Sequence, residues 1–382
     1  MKVLTVVGNR PQFIKAAAVS PALRARGQEL LVHTGQHFDD ELSAIFFAEL
    51  GLPAPDVQLG ISGGSNTGQT ARMLAALEPV IADVAPDCVL VYGDTNSTLA
   101  GALAAVQQGV PVAHVEAGMR SFDRGMPEEV NRVLTDHLSV LLLCSSDLAA
   151  ANLAAEGIGL AGVAGVAGAG GGGGAGGAGS PAVVVVGDVM VDVALEVQPR
   201  ARARADLVRA NGVEPGAYVL ATAHRAGNVD DPVRLAALVE LLLGVGEPVV
   251  LPLHPRTRAR LQAAGLLERL ASGGAVRVTQ PLGYVELTAL MCNSRAVLTD
   301  SGGLQKEAYL AGVPCVTLRP STEWVETVEA GWNVLVDLDL EATRAALAAP
   351  VPPERRPLYG DGHAGERVVA ALMDALPNRL PC

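Results

Sequence analysis

The stretch His114-Val-Glu-Ala-Gly-Met-Arg-Ser-Phe-Asp-Arg-Gly-Met-Pro-Glu-Glu-Val-Asn-Arg132 decides how this chain is read. It follows the apolar run 110–113, which predicts a buried strand, so Glu116 is expected at or just past a strand's C-terminal end. Pro127 is expected to open a helix as its first residue, with Glu128 and Glu129 in the first turn, where carboxylates suit the positive helix end. Carboxylates and arginines thus gather at a strand end and a helix start, the place where open α/β sheets bind ligands. A capped helix with surface ion pairs would use the same residues. The decision rests on how many other polar clusters occupy equivalent positions.

Short apolar runs alternate with Ala- and Leu-rich segments along the whole chain. Strands are predicted at 3–7, 30–33, 88–92, 110–114 and 140–144, then at 183–186, 218–222, 248–253, 276–279, 296–299 and 314–318. This alternation predicts an α/β fold with parallel sheets. Two such sets in 382 residues predict two Rossmann-like domains facing across a cleft, one over 1–186 and one over 187–361. Residues 362–382 should add a packed terminal helix and tail, since Val368, Val369, Leu372, Met373 and Leu376 fall at helical spacing. The tract 159–180 is almost pure Gly and Ala, with too little side chain to offset its ordering entropy; a mobile surface loop without a catalytic role is expected there.

Nearly half the residues are apolar (49%) and only 18% are charged, so a large core can form. The net charge of −12 argues against nonspecific nucleic-acid binding. Five scattered cysteines, four of them in or beside apolar stretches, are expected to be core thiols and not a disulfide framework or metal set. The first ten residues lack a signal-peptide core, and no stretch has the hydrophobicity of a membrane span; a cytoplasmic protein is expected.

The residues after each predicted strand carry the chemistry. They include Gly8-Asn-Arg-Pro-Gln12, Thr34-Gly-Gln-His37, Gly93-Asp-Thr-Asn-Ser-Thr98 and Glu116-Ala-Gly118 in the first half. The second half contributes Ala223-His-Arg225, His254-Pro-Arg256 and Asp300-Ser-Gly-Gly-Leu-Gln-Lys-Glu307. In the last of these, glycines and free backbone N–H groups at a helix start would cradle an anion, Ser301 could add a donor, and Glu307 could accept from ribose hydroxyls. A tight turn with an N-cap serine is the simpler use of the same residues. His224 and His254 occupy equivalent strand ends and could sit beside a diphosphate or act in acid/base work. Asp94, Glu116 and Glu128 are carboxylates that could converge, and crowding of this kind raises pKa values toward the range useful in catalysis. No Gly-x-Gly-x-x-Gly follows a first strand, the P-loop fingerprint is absent, and no His-Glu-x-x-His spacing supports a metal site.

In order along the chain, these segments, with Pro127-Glu-Glu-Val-Asn-Arg132, Val186-Gly-Asp188 and Thr222-Ala-His-Arg225, resemble the non-hydrolysing UDP-N-acetylglucosamine 2-epimerases, which share the two-domain GT-B architecture. The resemblance implies removal of the proton on carbon 2, expulsion of UDP from carbon 1 and re-addition to a bound glycal, giving UDP-N-acetylmannosamine. It implies Asp94, Glu116 and Glu128 as acid/base carboxylates, with His224 near the departing phosphate beside Arg10, Lys15 and Arg132. It also implies that the second domain binds UDP: His254, Ser301, Gly302 and Gly303 at the diphosphate, Glu307 at the ribose and Tyr284 near the uracil. By the same resemblance no cofactor or metal is needed, the partner is a UDP-sugar, and the enzyme is a homodimer. Some bacterial members bind a second substrate molecule through a basic residue where this chain has Gly68, so hyperbolic kinetics are expected here. Phe38 and Ser121-Phe-Asp-Arg124 also resemble members acting on UDP-2,3-diacetamido-glucuronate. A hydrolysing epimerase releasing N-acetylmannosamine, a GT-B glycosyltransferase and a nucleotide-sugar-binding regulator are the competing readings; the three carboxylates disfavour the transferase.

Overall fold

The computed structural model describes residues 1–36, 49–159 and 180–376. His37, Phe38, the Gly/Ala tract from 160 to 179 and Cys382 lie outside the described residues. The chain divides into two units: residues 1–193 with 359–382, and residues 194–358.

In the first unit a parallel sheet is built from β1 (Lys2–Val7), β2 (Gln28–His33), β3 (Val57–Gln58), β4 (Cys88–Tyr92), β5 (Val112–Ala117), β6 (Leu141–Cys144) and β7 (Ala182–Val185). Its strand order is β3-β2-β1-β4-β5-β6-β7. The second sheet holds β8 (Val219–Thr222), β9 (Val249–Pro252), β10 (Val276–Thr279), β11 (Ala296–Thr299), β12 (Cys315–Thr317) and β13 (Asn333–Leu335), also parallel, in the order β10-β9-β8-β11-β12-β13. In each sheet the chain lays strands to one side of its first strand and then crosses back to the other. The reversal falls between β1 and β4, and between β8 and β11, and such switch points open a crevice at the strands' C-terminal ends.

The strands read as unbroken apolar runs because both faces are covered. In the second unit Val219, Ala221, Val249, Leu251, Ala296 and Leu298 join one core cluster, while Leu220, Val250 and Val297 join another. Alternate residues therefore pack against helices on opposite sides of one sheet. Leu4, Val6, Val89, Val91 and Val112 form the corresponding core of the first unit with Met73, Leu77 and Ile81 of the helix Asn66–Val84.

The strand near 183–186 is the edge of the first sheet, paired to β6. Two features depart from the sequence expectation. The strands Val57–Gln58 and Asn333–Leu335 are too short to leave a periodic signal. The division between units lies inside the helix Val189–Arg202, and the terminal helix Ala364–Ala375 returns to the first unit instead of standing apart. There its backbone N–H groups at Ala364 and Gly365 donate to Asp192 at 3.1 and 2.7 Å, and Val368, Val369 and Leu372 are fully buried.

Candidate active site

The first crevice is assembled around Gly8 and Gly93, which follow β1 and β4. A Cβ on Gly8 would lie 2.0 Å from Ser97 Oγ, so only glycine lets β1 and the helix Asn96–Gln107 approach this closely. Gln12, in the first turn of the helix Arg10–Arg26, locks the two strand ends together. Its Oε1 accepts from Gly8 N at 2.7 Å, and its Nε2 donates to the Tyr92 carbonyl at 2.7 Å and Thr98 Oγ1 at 2.9 Å. Gly93 holds a left-handed φ of 61°, and a Cβ there would stand 3.0 Å from Lys15 Nζ and 3.3 Å from Glu116 Oε2.

Four of the expected side chains meet here. Lys15, nine-tenths buried, pairs with Glu116, and Asp94 pairs with Arg132. Burial is the largest influence on Lys15 and acts to lower its pKa, but Glu116 and Asp94 outweigh it, so the ammonium's pKa is raised. Burial is also the largest influence on Asp94 and raises its pKa; Arg132 and Lys15 oppose the rise without cancelling it, and Glu116 adds to it. Asp94 does not cap the following helix: Thr95 does, in a reciprocal box with Thr98.

Glu116 is not a regular strand residue. It lies where the β5–β6 register shifts between Val115 and Ala117, and its φ is +70°. A left-handed glutamate costs about 1–2 kcal/mol, and a bulge of this kind re-aims a side chain beside a site. The sequence placed Glu116 at the strand end, and the bulge is what turns its carboxylate toward Lys15.

Pro127 opens the helix Pro127–Leu138 as expected, with both glutamates in the first turn. They face different ways. Glu128 is exposed and makes no ion pair among the described residues, whereas Glu129 is buried. Glu129 accepts from Ser121 N and Oγ (both 2.9 Å) and Phe122 N (3.0 Å), and from Arg132 Nη1 at 3.1 Å. The loop before the helix, in which Phe122 is left-handed at φ 58°, is thus wired through Glu129 and Arg132 to Asp94. Sequence reading did not single out Glu129, because adjacent first-turn carboxylates differ only by their 100° rotation around the axis.

The second crevice is organised by Asp300, which is wholly buried after β11. Its carboxylate accepts from His224 N (3.1 Å), Arg225 N (3.0 Å) and Asn228 Nδ2 (3.1 Å), fixing the loop after β8. His224 and His254 stack with centroids 5.3 Å apart. His254 also caps the helix Pro255–Ala263, its Nδ1 accepting from Arg256 N at 3.2 Å. Ser301 occupies the N-cap of the helix Gly302–Ala311 without a side-chain cap bond, and Gly302 and Gly303 supply its first N–H groups. A Cβ at Gly302 would stand 3.4 Å from both Glu323 Oε2 and Trp324 Nε1, and 3.7 Å from Arg225 Nη2. Glu323 is gripped by Arg319 at 3.0 Å; burial pushes its pKa up, yet Arg319 and Arg225 hold it below the usual range. Lys306 lies 4.5 Å over the Trp324 ring. Glu307 is buried further along the same helix, and Tyr284 is buried at the first position of the helix Tyr284–Cys292. Glu323 and Trp324 sit in a loop without a motif, and nothing in the sequence links them, or Arg225 of the Thr222–Arg225 motif, to Gly302.

Each unit therefore carries charged and hydrogen-bonding groups at the switch point of a doubly wound parallel sheet, where such folds bind ligands. Comparison with known proteins narrows the class. The family model for UDP-N-acetylglucosamine 2-epimerase matches residues 22–373. The UDP-2,3-diacetamido-2,3-dideoxy-D-glucuronate 2-epimerase of Pseudomonas aeruginosa is 48% identical, over 97% of this chain and 99% of the relative. The crystal structure of the Methanocaldococcus jannaschii UDP-GlcNAc 2-epimerase in complex with UDP-GlcNAc and UDP matches with a TM-score of 0.86 at 38% identity, covering 98% of this chain and 99% of that one. The Neisseria meningitidis UDP-GlcNAc 2-epimerase bound to UDP-GlcNAc matches with a TM-score of 0.81 at 30% identity, covering 98% and 100%. The chain belongs to the UDP-N-acetylglucosamine 2-epimerase family, whose GT-B fold it shares, and it is an isomerase of that 2-epimerase class.

Proposed function

We propose that the protein interconverts UDP-N-acetylglucosamine and UDP-N-acetylmannosamine without hydrolysis. In the elimination half, the C2–H and C1–O bonds break, C1=C2 forms, and UDP departs with the C1–O electron pair. In the return half, a proton is delivered to the opposite face of C2 and UDP adds back to C1. The observation that supports this reading is the Lys15–Glu116 and Asp94–Arg132 cluster at the end of β4 and β5. It brings two carboxylates together, and burial raises the pKa of one of them, Asp94, the direction that favours acid/base work. Glu128, exposed on its helix, is the third candidate and would act on the sugar's other face. Arg10, Lys15 and Arg132 balance the charge of the departing group. His224, His254, Ser301, Gly302 and Gly303 hold the diphosphate, Glu307 takes the ribose, and Tyr284 supports the base. The protein works as a homodimer in this reading.

A second substrate, UDP-2,3-diacetamido-glucuronate, is favoured by one observation: the Pseudomonas relative acting on it is 48% identical, against 39% for the Methanocaldococcus UDP-N-acetylglucosamine 2-epimerase. Anion-exchange chromatography of purified protein with each UDP-sugar decides between them. The proposal expects a UDP-linked manno epimer from UDP-N-acetylglucosamine with the higher kcat/KM. A higher kcat/KM for the diacetamido uronate would transfer the assignment to that sugar. Free UDP with N-acetylmannosamine would make the enzyme hydrolysing.

A further inference from the structure

The His114 imidazole is wholly buried and faces an acceptor at each ring nitrogen. Nδ1 lies 2.7 Å from Asp136 Oδ1, and Nε2 lies 2.7 Å from the Gly93 carbonyl oxygen. A carbonyl can only accept, so Nε2 donates. The other oxygen of Asp136 accepts from Arg120 Nη1 at 2.7 Å and from Gly118 N at 3.1 Å, contacts suited to a carboxylate anion, so Nδ1 donates as well. Neutral imidazole carries one N–H and cannot satisfy both neighbours. We propose that His114 is a positioning residue whose ring donates from both nitrogens, aiming Asp94 and Glu116 by holding the Gly93 carbonyl directly and Gly118 through Asp136.

The surroundings fit that assignment. Burial acts to raise the pKa of Asp136, but His114 and Arg120 hold it below the usual carboxylate range. Arg120 continues to Glu156, its Nε donating at 2.7 Å, and His137 stands 3.9 Å from that same carboxylate. His114, Asp136, Arg120 and Glu156 thus form one connected chain. At its other end stand Lys15, Glu116 and Asp94 around Gly93. The grip on Gly93 is double: its N–H donates to the Val115 carbonyl at 3.0 Å while its carbonyl accepts from His114. Asp94 is the next residue. Through Asp136, His114 is also tied to Gly118, two residues beyond the bulged Glu116. A single side chain thereby fixes both strand ends that present the carboxylates.

The catalytic arm of the test rests on the 2-epimerase reading; the spectroscopic arm does not. Nitrogen-15 NMR of the full chain, with His114 assigned through its backbone, is expected to show a proton on each ring nitrogen, as the two acceptors require. A ring nitrogen without its proton overturns the proposal. His114→Gln, whose amide can donate to one acceptor while turning an oxygen on the other, is expected to lose about 10²-fold in kcat with little change in KM, the signature of misplaced groups. Wild-type kcat per folded molecule would overturn the positioning role and leave His114 a core residue. If His114→Gln does not fold, the wild-type nitrogen shifts still decide. If the wild type turns over no UDP-sugar, the functional reading fails and the nitrogen result stands on its own.

Discussion

Replacing Glu116 by Gln tests the site where its chemistry and its stability are most tightly joined. The side chains of Lys15 and Glu116 are 11% and 13% exposed, so the pair is largely removed from water. Breaking a buried pair by neutralising one member costs about 3–5 kcal/mol, because the other charge is left without compensation. Two features reduce this here: Asp94 also stabilises the Lys15 ammonium, and the amide oxygen still accepts a hydrogen bond. A loss of about 2–3 kcal/mol from the first unit follows. Without Glu116 the influence of burial dominates Lys15, whose pKa should fall. Activity should drop by about 10²–10⁴-fold, the usual contribution of a positioned acid/base group. Hydrogen exchange of β4 and β5 peptides reads the stability, and UDP-sugar turnover reads the chemistry. The double variant Lys15→Met with Glu116→Gln should regain most of the lost protection and none of the activity. Additive losses in the double variant, or near wild-type turnover in Glu116→Gln, would refute the reasoning.

Three other outcomes follow from the same structure. Asp136 has a folded pKa below its unfolded value, so its stabilisation is fully present above about pH 4 and is lost as pH falls through the folded pKa. Acid unfolding of Asp136→Asn should therefore start from a less stable protein at neutral pH and show a shallower acid limb, and parallel limbs would contradict this. Burial pushes the thiols of Cys88, Cys144 and Cys315 up to about 12 and that of Cys292 up to about 11. Iodoacetamide labelling read by peptide mass spectrometry should leave all four unmodified in the native protein at pH 8 and label them only on unfolding. Gly68, in the first turn of the helix Asn66–Val84, offers no cation for a second substrate molecule, so initial rates should rise hyperbolically with UDP-sugar; a sigmoid would contradict this.

The alternation of apolar runs and Ala/Leu-rich segments made the α/β class and most strand positions legible, because a strand covered on both faces must be apolar throughout. Strand ends were legible for the same reason: the first polar residue after each run marks where the chain leaves the sheet. Glu116 could be placed near such an end, but its left-handed bulge could not be foreseen, since it depends on the register of β5 against β6. The distinction between Glu128 and Glu129 was likewise hidden, because it depends on the Ser121–Phe122 loop folding back over the helix start. The return of residues 359–382 to the first unit is a matter of tertiary packing: an amphipathic helix fits any matching apolar face. The buried cysteines were readable from their apolar neighbours.

The central claim, inversion of carbon 2 by elimination and re-addition, is tested most directly by proton NMR of the purified protein with UDP-N-acetylglucosamine in deuterated water. The account predicts that the carbon-2 proton signal disappears as solvent deuterium enters that position, and that the manno epimer grows in with UDP still attached. An epimer that keeps its original carbon-2 proton, or a substrate that exchanges nothing while glucuronate-type UDP-sugars also stay unchanged, would contradict it.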